Sequence, residues 1–464
     1  TFLGNGSGTV GVFLDGATGL AVGSTSPGAG NVVGGGAVGI QTRGTLTGTT
    51  VRGNTVEGNG SGIVLDGAVG LAVDGGNTIR HATSYGILVK GDCNGSFFTN
   101  NAIDSNAAGV VLSSARGVTI DGGNAIRGST SYGVYVGGDS LGSRVIGNAI
   151  DGLGTGFCGI YLDAATGAII GDGGAGNTLV GCANGIYARG PLDGTVVRSN
   201  TVTGGTAGTV LYGATNLTVE AGNRFTGASG YGILAQGACT GSVIAANTVD
   251  GNTDGIWLAA ATGLDVRGAN EILGNTNHGI FATGDATGTR IVGNVVNGSG
   301  ITTHGVFLDG VTGLTLGSAA AGEINTVTSN TVGIYARGSL QGTSVVANIV
   351  AGNHSGLVMG DAKGLAVNGG NHFIGMSDFG IYGTGDCDGT VIEGNQIESN
   401  SSGVVLEDAR RLRVVNNNRM ISNAAFGLYA KGDSTGTVVL GNEIQGNGQN
   451  VEVSAAIGGI FQTA

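Results

Sequence analysis

Short alternations of apolar and polar residues run along the whole chain and return with a fixed period. Two neighbouring copies begin at Gly62-Ile-Val-Leu and Gly86-Ile-Leu-Val, and each ends in an Asn followed by a dipeptide that closes on Ile. Alternation over three to five residues is the strand period. Gly, Asp, Asn and Ser stand between the alternations, as tight turns require. The pattern therefore predicts three short strands and three turns per repeat, which make one coil of a β-solenoid.

The Asn of each repeat is the most regular position in the chain. It recurs every 23 or 24 residues, apart from two longer intervals of 29 and 31. Coils stack as parallel strands about 4.8 Å apart, so each Asn is expected above the next, with the side-chain amides bonded in a ladder. The predicted ladder consists of Asn31, Asn54, Asn77, Asn101, Asn124, Asn148, Asn177, Asn200, Asn223, Asn247, Asn270, Asn294, Asn325, Asn348, Asn371, Asn395, Asn418 and Asn442.

A longer unit of six coils occurs three times. Gly11-Val-Phe-Leu-Asp returns as Gly159-Ile-Tyr-Leu-Asp and as Gly305-Val-Phe-Leu-Asp. A solenoid is one continuous body in which each repeat packs on its neighbours, so we expect a single solenoid over residues 1–464 with about 19 coils. Its predicted parts are modules at residues 11–158, 159–304 and 305–449, and partial coils at residues 1–10 and 450–464.

The Gly-Ile-x-Leu and Gly-Asn-x-Ile frame resembles the repeat of right-handed, pectate-lyase-like parallel β-helices. The resemblance covers nearly the whole chain. It implies an all-β fold, a right-handed parallel β-helix with three strands per coil and the internal Asn ladder, and the handedness rests on it alone. It implies little about function, because this fold carries lyases, hydrolases, epimerases, tailspikes and surface proteins.

Composition narrows the class of protein. The chain has 464 residues, with 99 Gly, only 2 Pro and a net charge of -12. Abundant Gly without Pro or a Gly-X-Y period argues against collagen, and the regular Val, Ile and Leu argue against disorder. The acidic balance disfavours nucleic acid as a partner, and no apolar run is long enough for a membrane span. Thr1 does not begin a signal peptide, so we expect a mature product or a segment of a longer chain, located outside the cell or at its surface.

Candidate catalytic and metal-binding groups are scattered. Turn aspartates lie mostly two or more coils apart and are interpreted as solvated, and the five His form no spaced pair. We therefore expect no enzyme activity, no metal and no cofactor. Of the five Cys, Cys93, Cys239 and Cys387 share one module position six coils apart. Cys158 and Cys182 lie about one coil apart, and a disulfide between them is predicted for an oxidising compartment.

An aromatic column marks the x position of the Gly-Ile-x-Leu strand, which is expected to point outward. The column is open to three interpretations: strand propensity alone, a lateral contact between rods, or a stacking platform for sugar rings. The Ser and Thr residues after the turn form no paired Thr-x-Thr grid, which disfavours an ice-binding face. The column consists of Phe13, Tyr135, Tyr161, Tyr187, Trp257, Phe281, Phe307, Tyr335, Tyr382 and Tyr429.

The two ends lead to the main functional expectation. Both lack a polar cap and break off at complementary phases of the coil, and open strand edges invite pairing with another chain. A head-to-tail contact of this kind gives a filament. We therefore expect a structural extracellular protein, a subunit or segment of a filament, fibre or surface layer, with itself as partner and with lateral bundling. The alternative is a polysaccharide-active or carbohydrate-binding β-helix.

Overall fold

The computed structural model describes residues 1–154 and 158–462. Over these residues the protein is an all-β parallel solenoid of about 19 turns, without a helix. This confirms the predicted fold class. The chain forms two compact units, Thr1–Ser229 and Gly230–Ala464, and each is described by itself. The single body over residues 1–464, with its three modules, stays a prediction.

The first of three sheets contains the Gly-Ile-x-Leu strands, which pair in parallel from coil to coil within each unit. In the first unit its strands are Phe2–Asp15, Val32–Thr45, Ser61–Val69, Tyr85–Asp92, Ala108–Arg116, Tyr132–Asp139, Cys158–Thr166, Asn184–Pro191 and Ala207–Thr215. In the second unit they are Tyr231–Ala238, Asp254–Thr262, His278–Asp285, His304–Thr312, Val332–Ser339, Ser355–Lys363, Phe379–Asp386, Ser402–Arg410, Phe426–Asp433 and Gln449–Ile457.

The second sheet contains the short strands that follow the next turn of each coil. In the first unit they are Ala21–Val22, Thr50–Arg52, Ala72–Asp74, Phe97–Phe98, Thr119–Ile120, Arg144–Val145, Ile169–Ile170, Val196–Arg198 and Thr218–Glu220. In the second unit they are Val243–Ala245, Asp265–Arg267, Arg290–Val292, Thr315–Leu316, Ser344–Val346, Ala366–Asn368, Val391–Ile392, Arg413–Val415, Val438–Leu440 and Ile460–Gln462.

The third sheet contains the strands that directly follow the recurring Asn. In the first unit they are Thr55–Glu57, Thr78–Arg80, Ala102–Asp104, Ala125–Arg127, Ala149–Asp151, Thr178–Val180, Thr201–Thr203 and Arg224–Thr226. In the second unit they are Thr248–Asp250, Glu271–Leu273, Val295–Asn297, Thr326–Thr328, Ile349–Ala351, His372–Ile374, Gln396–Glu398, Arg419–Ile421 and Glu443–Gln445. All of these strands except Glu443–Gln445 bury their middle residue, as Val56 and Ile79 show, because alternation along a three-residue strand turns the middle side chain inward.

The Asn ladder is present as predicted. In the first unit each amide donates to the next, from Asn31 to Asn223, with N···O distances of 2.8 to 3.1 Å. In the second unit the same chain of bonds runs from Asn247 to Asn442. The second amide hydrogen binds backbone carbonyls around the same turn, as Asn200 does with Ile170 and Arg198.

A second, interrupted asparagine ladder lies five residues further along the coil, and it was missed in the sequence. Asn252 donates to Asn275 at 3.1 Å, and Asn400 to Asn423 at 3.0 Å. Its members are Asn59, Asn106, Asn252, Asn275, Asn330, Asn353, Asn400, Asn423 and Asn447. The sequence signal for this second ladder is an Asn five residues after an Asn of the first ladder. It is weak because Ala82, Ser129 or Cys182 takes the position in other coils.

The Ser and Thr residues after the turn face inward. Thr49, Ser96, Ser143, Thr195, Ser242 and Thr289 are buried. The hydroxyl of Thr195, for example, donates to the Ala165 carbonyl at 2.6 Å and accepts from the Ala168 amide at 3.2 Å. These hydroxyls therefore join consecutive coils and present no surface to ice.

Candidate functional site

The aromatic column forms two stacks of rings. In the first unit, Tyr135, Tyr161 and Tyr187 follow each other with ring centroids 5.7 and 5.2 Å apart and interplanar angles of 15° and 8°. In the second unit, Trp257, Phe281 and Phe307 stack in the same way, and Tyr335 meets Phe307 edge-on. Parallel strands bring equivalent side chains to this spacing, which offset stacking of aromatic rings tolerates.

A ring inside a stack has no free face for a ligand. Tyr161 is only 6% exposed and Phe307 only 7%. An arginine of the next coil covers each, since the Arg189 guanidinium lies 5.4 Å from the Tyr161 centroid and that of Arg337 lies 5.1 Å from the Phe307 centroid. The column is therefore not one continuous platform for sugars. Ligands can reach ring faces only where a stack is interrupted.

Three members of the column lie outside these stacks. Phe13 is exposed and lies beneath the Arg43 guanidinium. Tyr382 and Tyr429 are half-buried, and each stacks on a ring of its own strand, Phe379 and Phe426 respectively. A role of the whole column as a contact stripe stays a prediction.

The first unit contains a cleft where its stack ends. The cleft has a volume of about 590 Å³ and an open mouth. Tyr132 and Tyr135 form one wall, and Tyr85 and Leu88 of another strand form the opposite wall. Ala108 and Val111 lie on the strand between them. The register explains the gap, because Ala108 is aligned with both Tyr85 and Tyr132 in the neighbouring coils. The small Ala108 side chain therefore leaves a layer without a ring between two tyrosines.

Polar groups line the mouth of this cleft. They are the hydroxyls of Ser84, Ser113 and Ser131 and the ammonium of Lys90. Lys90 lies 3.0 Å from Asp66, and both side chains are half exposed, so this ion pair is weak and leaves Lys90 donors available. The Tyr135 hydroxyl donates to Asp163 at 3.1 Å. Burial, followed by the Asp163 charge, raises the pKa of Tyr135 to about 12, which keeps this hydroxyl a donor at neutral pH.

A buried His–Asp pair in the second unit contradicts the expectation that no His has a partner. Nδ1 of His278 lies 2.7 Å from Asp254, one coil away, and both side chains are about one-tenth exposed. The Asn277 amide donates to the same carboxylate at 3.1 Å. His304 stacks on His278 with ring centroids 5.3 Å apart, and its Nδ1 is buried without a hydrogen-bond partner. This group breaks the near-symmetry of the repeats.

His304 makes stability depend on pH. Burial, then the charges of His278 and Arg337, lower the pKa of His304 to about 4 from its ordinary 6.5. As pH falls, the unfolded chain takes up a proton at this ring at a higher pH than the folded chain does. The contribution of the neutral ring to the free energy of unfolding is therefore full above pH 6.5 and is lost as pH falls towards 4. We expect this ring to account for a loss of about 1 to 2 kcal/mol in the free energy of unfolding, because its partial exposure lets solvent screen the charge. Urea unfolding at pH 7 and pH 4.5 should show a smaller loss in His304→Val, and an equal loss would contradict the assignment.

The five cysteines are buried free thiols in this structure. Burial raises the pKa of Cys93, Cys182 and Cys387 to about 11 and that of Cys158 further, so none of these four thiols is a thiolate at neutral pH. The disulfide between Cys158 and Cys182 stays a prediction. Over residues 1–154 and 158–462, no group of three or more His, Cys, Asp or Glu is placed to hold a metal ion. The same residues contain no helix of the length and apolarity that a membrane crossing needs.

Solved structures with this fold have low similarity to the chain. The periplasmic alginate epimerase AlgG is 13% identical, with a TM-score of 0.27, over 81% of this chain and 75% of its own. A GH87 α-1,3-glucanase from Streptomyces thermodiastaticus is 14% identical, with a TM-score of 0.34, over 82% and 64%. A tailspike protein of E. coli bacteriophage HK620, in complex with a pentasaccharide, is 11% identical, with a TM-score of 0.35, over 79% and 67%. Such values indicate a shared fold alone. No curated protein matches.

One protein-family model matches almost the whole chain. It is described as "Periplasmic copper-binding protein (NosD)" and matches residues 15–152, 153–306 and 301–463. Copper sites use imidazole, thiolate and thioether ligands. Here the cysteines and all three methionines are buried, and Nδ1 of His278 is occupied by Asp254. The described part of the chain brings no three His, Cys, Asp or Glu together as metal ligands. The described residues therefore do not fit a copper site built by this chain alone.

These findings correct the main functional expectation. The prediction of a structural role as part of a head-to-tail filament, fibre or surface layer is wrong, because the family that the chain matches is described as a periplasmic copper-binding protein and not as an assembly subunit. Open strand edges permit pairing with many chains and do not specify self-assembly. The predicted resemblance to right-handed parallel β-helices is confirmed, and the location is outside the cytoplasm. The chain belongs to the NosD family.

Proposed function

We propose that the protein binds carbohydrate, and that one sugar ring enters the cleft between Tyr85 and Tyr132. The ring-free layer at Ala108, between two tyrosines, carries this proposal. Two coil spacings separate the two tyrosines, about 10 Å in all, which is the space that one additional ring between two stacked rings requires. Sugar rings have apolar faces of C–H groups and polar edges, so they match an aromatic slot with a hydroxyl-lined mouth.

The surroundings of the slot match the rest of a sugar. Leu88 and Val111 form an apolar floor, which gains from burial of the ring's C–H face. The serine hydroxyls and Lys90 at the mouth can bond the ring hydroxyls, and such groups give orientation and specificity to a largely apolar site. A glycan ligand is consistent with a location outside the cytoplasm, where the protein would meet extracellular or cell-surface polysaccharide. Absence of enzyme activity stays a prediction.

Fluorine NMR of protein labelled with 3-fluorotyrosine tests the slot directly, since the chain has only 10 Tyr. The ligands are linear hexasaccharides of glucose, mannose, N-acetylglucosamine and mannuronate. We expect at least one of them to shift the signals of Tyr85, Tyr132 and Tyr135. Ala108→Phe should fill the gap between the two tyrosines and weaken binding there at least tenfold, because a Phe in register with Tyr85 and Tyr132 occupies the place of the sugar.

The control is Tyr212→Ala, which removes a 52% exposed tyrosine of the same unit outside the slot. It should bind as the unmodified protein does. Thermal unfolding of Ala108→Phe should match or exceed that of the unmodified chain, which separates a blocked slot from a damaged fold. The proposal fails if no hexasaccharide shifts the three signals, or if Ala108→Phe binds as tightly as the unmodified protein.

A further inference from the structure

The second unit repeats the geometry of the cleft with different residues. Phe379 and Tyr382 stack on one strand with ring centroids 5.2 Å apart, and Phe426 and Tyr429 stack two coils further on at 5.0 Å. The strand between them carries Ser402 and Val405 at the same positions. These two small residues are buried to the same degree as Ala108 and Val111 of the first cleft. Two pairs of rings thus face each other across one layer without a ring.

The same positions in other coils of this unit show both a filled and an open middle layer, and the open layer recurs at Val358, which lies between Tyr335 and Tyr382. In three consecutive coils earlier in this unit, Tyr231 and His278 lie on the two outer strands. The strand between them carries Asp254 and Trp257. Trp257 stacks on Phe281 and fills the place that Val405 leaves open. Aromatic side chains are therefore accommodated in the middle layer of this sheet. Their absence at Ser402 and Val405 leaves a slot of about two coil spacings, or about 10 Å.

The rim of this second slot differs in charge. Glu407 accepts from the Tyr382 hydroxyl at 3.1 Å and pairs with Lys431 at 2.8 Å. The Lys431 ammonium lowers the pKa of Glu407, so the carboxylate is charged at neutral pH. Asp378, which precedes Phe379 as Ser84 precedes Tyr85, adds a second carboxyl group, 3.6 Å from Nε2 of His354. The first cleft has Lys90 as its only charged lining residue.

We propose that Phe379, Tyr382, Ser402, Val405, Phe426 and Tyr429 form a second carbohydrate site, which takes an uncharged sugar ring and disfavours uronates. The inference rests on the proposed function, since it assigns the same ligand class to a second slot. Two carboxyl groups against one ammonium at the rim repel an anionic sugar, whereas ring stacking itself does not depend on charge. The first cleft has Lys90 as its one charged lining residue, paired with Asp66, and accepts both kinds of sugar.

The test follows the signals of Tyr382 and Tyr429 in the same fluorotyrosine-labelled chain, together with the stoichiometry from calorimetry. A neutral hexasaccharide that binds the first cleft should also shift these two signals and should bind with two molecules per chain. Ser402→Phe should remove only the second set of shifts, and Ala108→Phe only the first. The mannuronate hexasaccharide should shift the signals of the first cleft alone. Glu407→Gln should raise the affinity of the second slot for the mannuronate hexasaccharide at least threefold.

The outcomes separate this inference from the proposed function. Shifts at Tyr132 without shifts at Tyr382, and one molecule bound per chain, overturn the second site and leave the first intact. Shifts at Tyr382 and Tyr429 that Ser402→Phe does not remove also overturn it, because the ligand would then lie elsewhere. Equal binding of neutral and uronate chains at the second slot overturns its charge preference. Absence of binding at both sets of tyrosines overturns the proposed function itself.

Discussion

Asn200→Ala is expected to destabilise the first unit by about 3 to 5 kcal/mol, because several buried polar groups lose their partners at once. The Asn200 side chain is fully buried. It donates to the carbonyls of Ile170 and Arg198 and to Asn223, and its oxygen accepts from both the backbone and the side chain of Asn177. Each orphaned group costs about 1 to 3 kcal/mol when water cannot replace the bond.

The loss should be local as well as large. Coils of a solenoid contact only their neighbours, so a broken rung weakens the adjacent interfaces first. Hydrogen exchange should therefore accelerate in the strands of the two adjacent coils, Thr178–Val180 and Arg224–Thr226. The midpoint of urea unfolding should fall as well. The exposed turn residue Asn94 provides the control, and Asn94→Ala should change stability by less than about 0.5 kcal/mol. Similar losses in the two variants would show that the ladder contributes little.

The ladder and the fold class were predictable because they follow from the spacing alone. An Asn every 23 or 24 residues, with period-2 alternation between, is compatible with stacked coils and with little else. The aromatic column could likewise be predicted from the sequence, because aromatic residues recur at one position of the repeat. Its division into closed stacks and open slots was not, because that depends on which residue of the next coil lies beside each ring. Ala108 reads as an ordinary strand residue until the register places it between Tyr85 and Tyr132.

The His278–Asp254 pair illustrates the same limit. The two residues are 24 apart in the sequence, which is one coil. Spacings of three or four residues, by which catalytic and ligand pairs on helices are recognised, do not apply to a solenoid. A search at intervals of one coil would have found this pair, and at a further 26 residues it would have found His304. The filament was wrong for a different reason, since it was argued from strand edges and not from a side-chain site.

Gly185→Ala is expected to destabilise the first unit by about 3 kcal/mol or more, although it adds one methyl group. The conformation at Gly185 is one that any residue adopts, so backbone strain is not the reason. The added Cβ would lie 2.2 Å from Cγ1 of Val202 and 2.6 Å from the carbonyl oxygen of Gly208 in the next coil. Val202 is core and the carbonyl belongs to the parallel ladder, so neither can move without opening the coil interface.

Gly174→Ala is the matched control for this substitution. Gly174 lies in the same unit and is exposed, and its added Cβ would meet nothing within 4 Å. Its unfolding midpoint should equal that of the unmodified chain, whereas that of Gly185→Ala should fall clearly in the same urea titration. A glycine recurs at this strand position in other coils, for example Gly62 and Gly427. An added Cβ there would likewise lie within 3 Å of a carbonyl oxygen of the next coil. If Gly185→Ala were as stable as Gly174→Ala, the coils would pack more loosely than these contacts require. The spacing between coils would then be too variable to hold open a slot that is one ring wide.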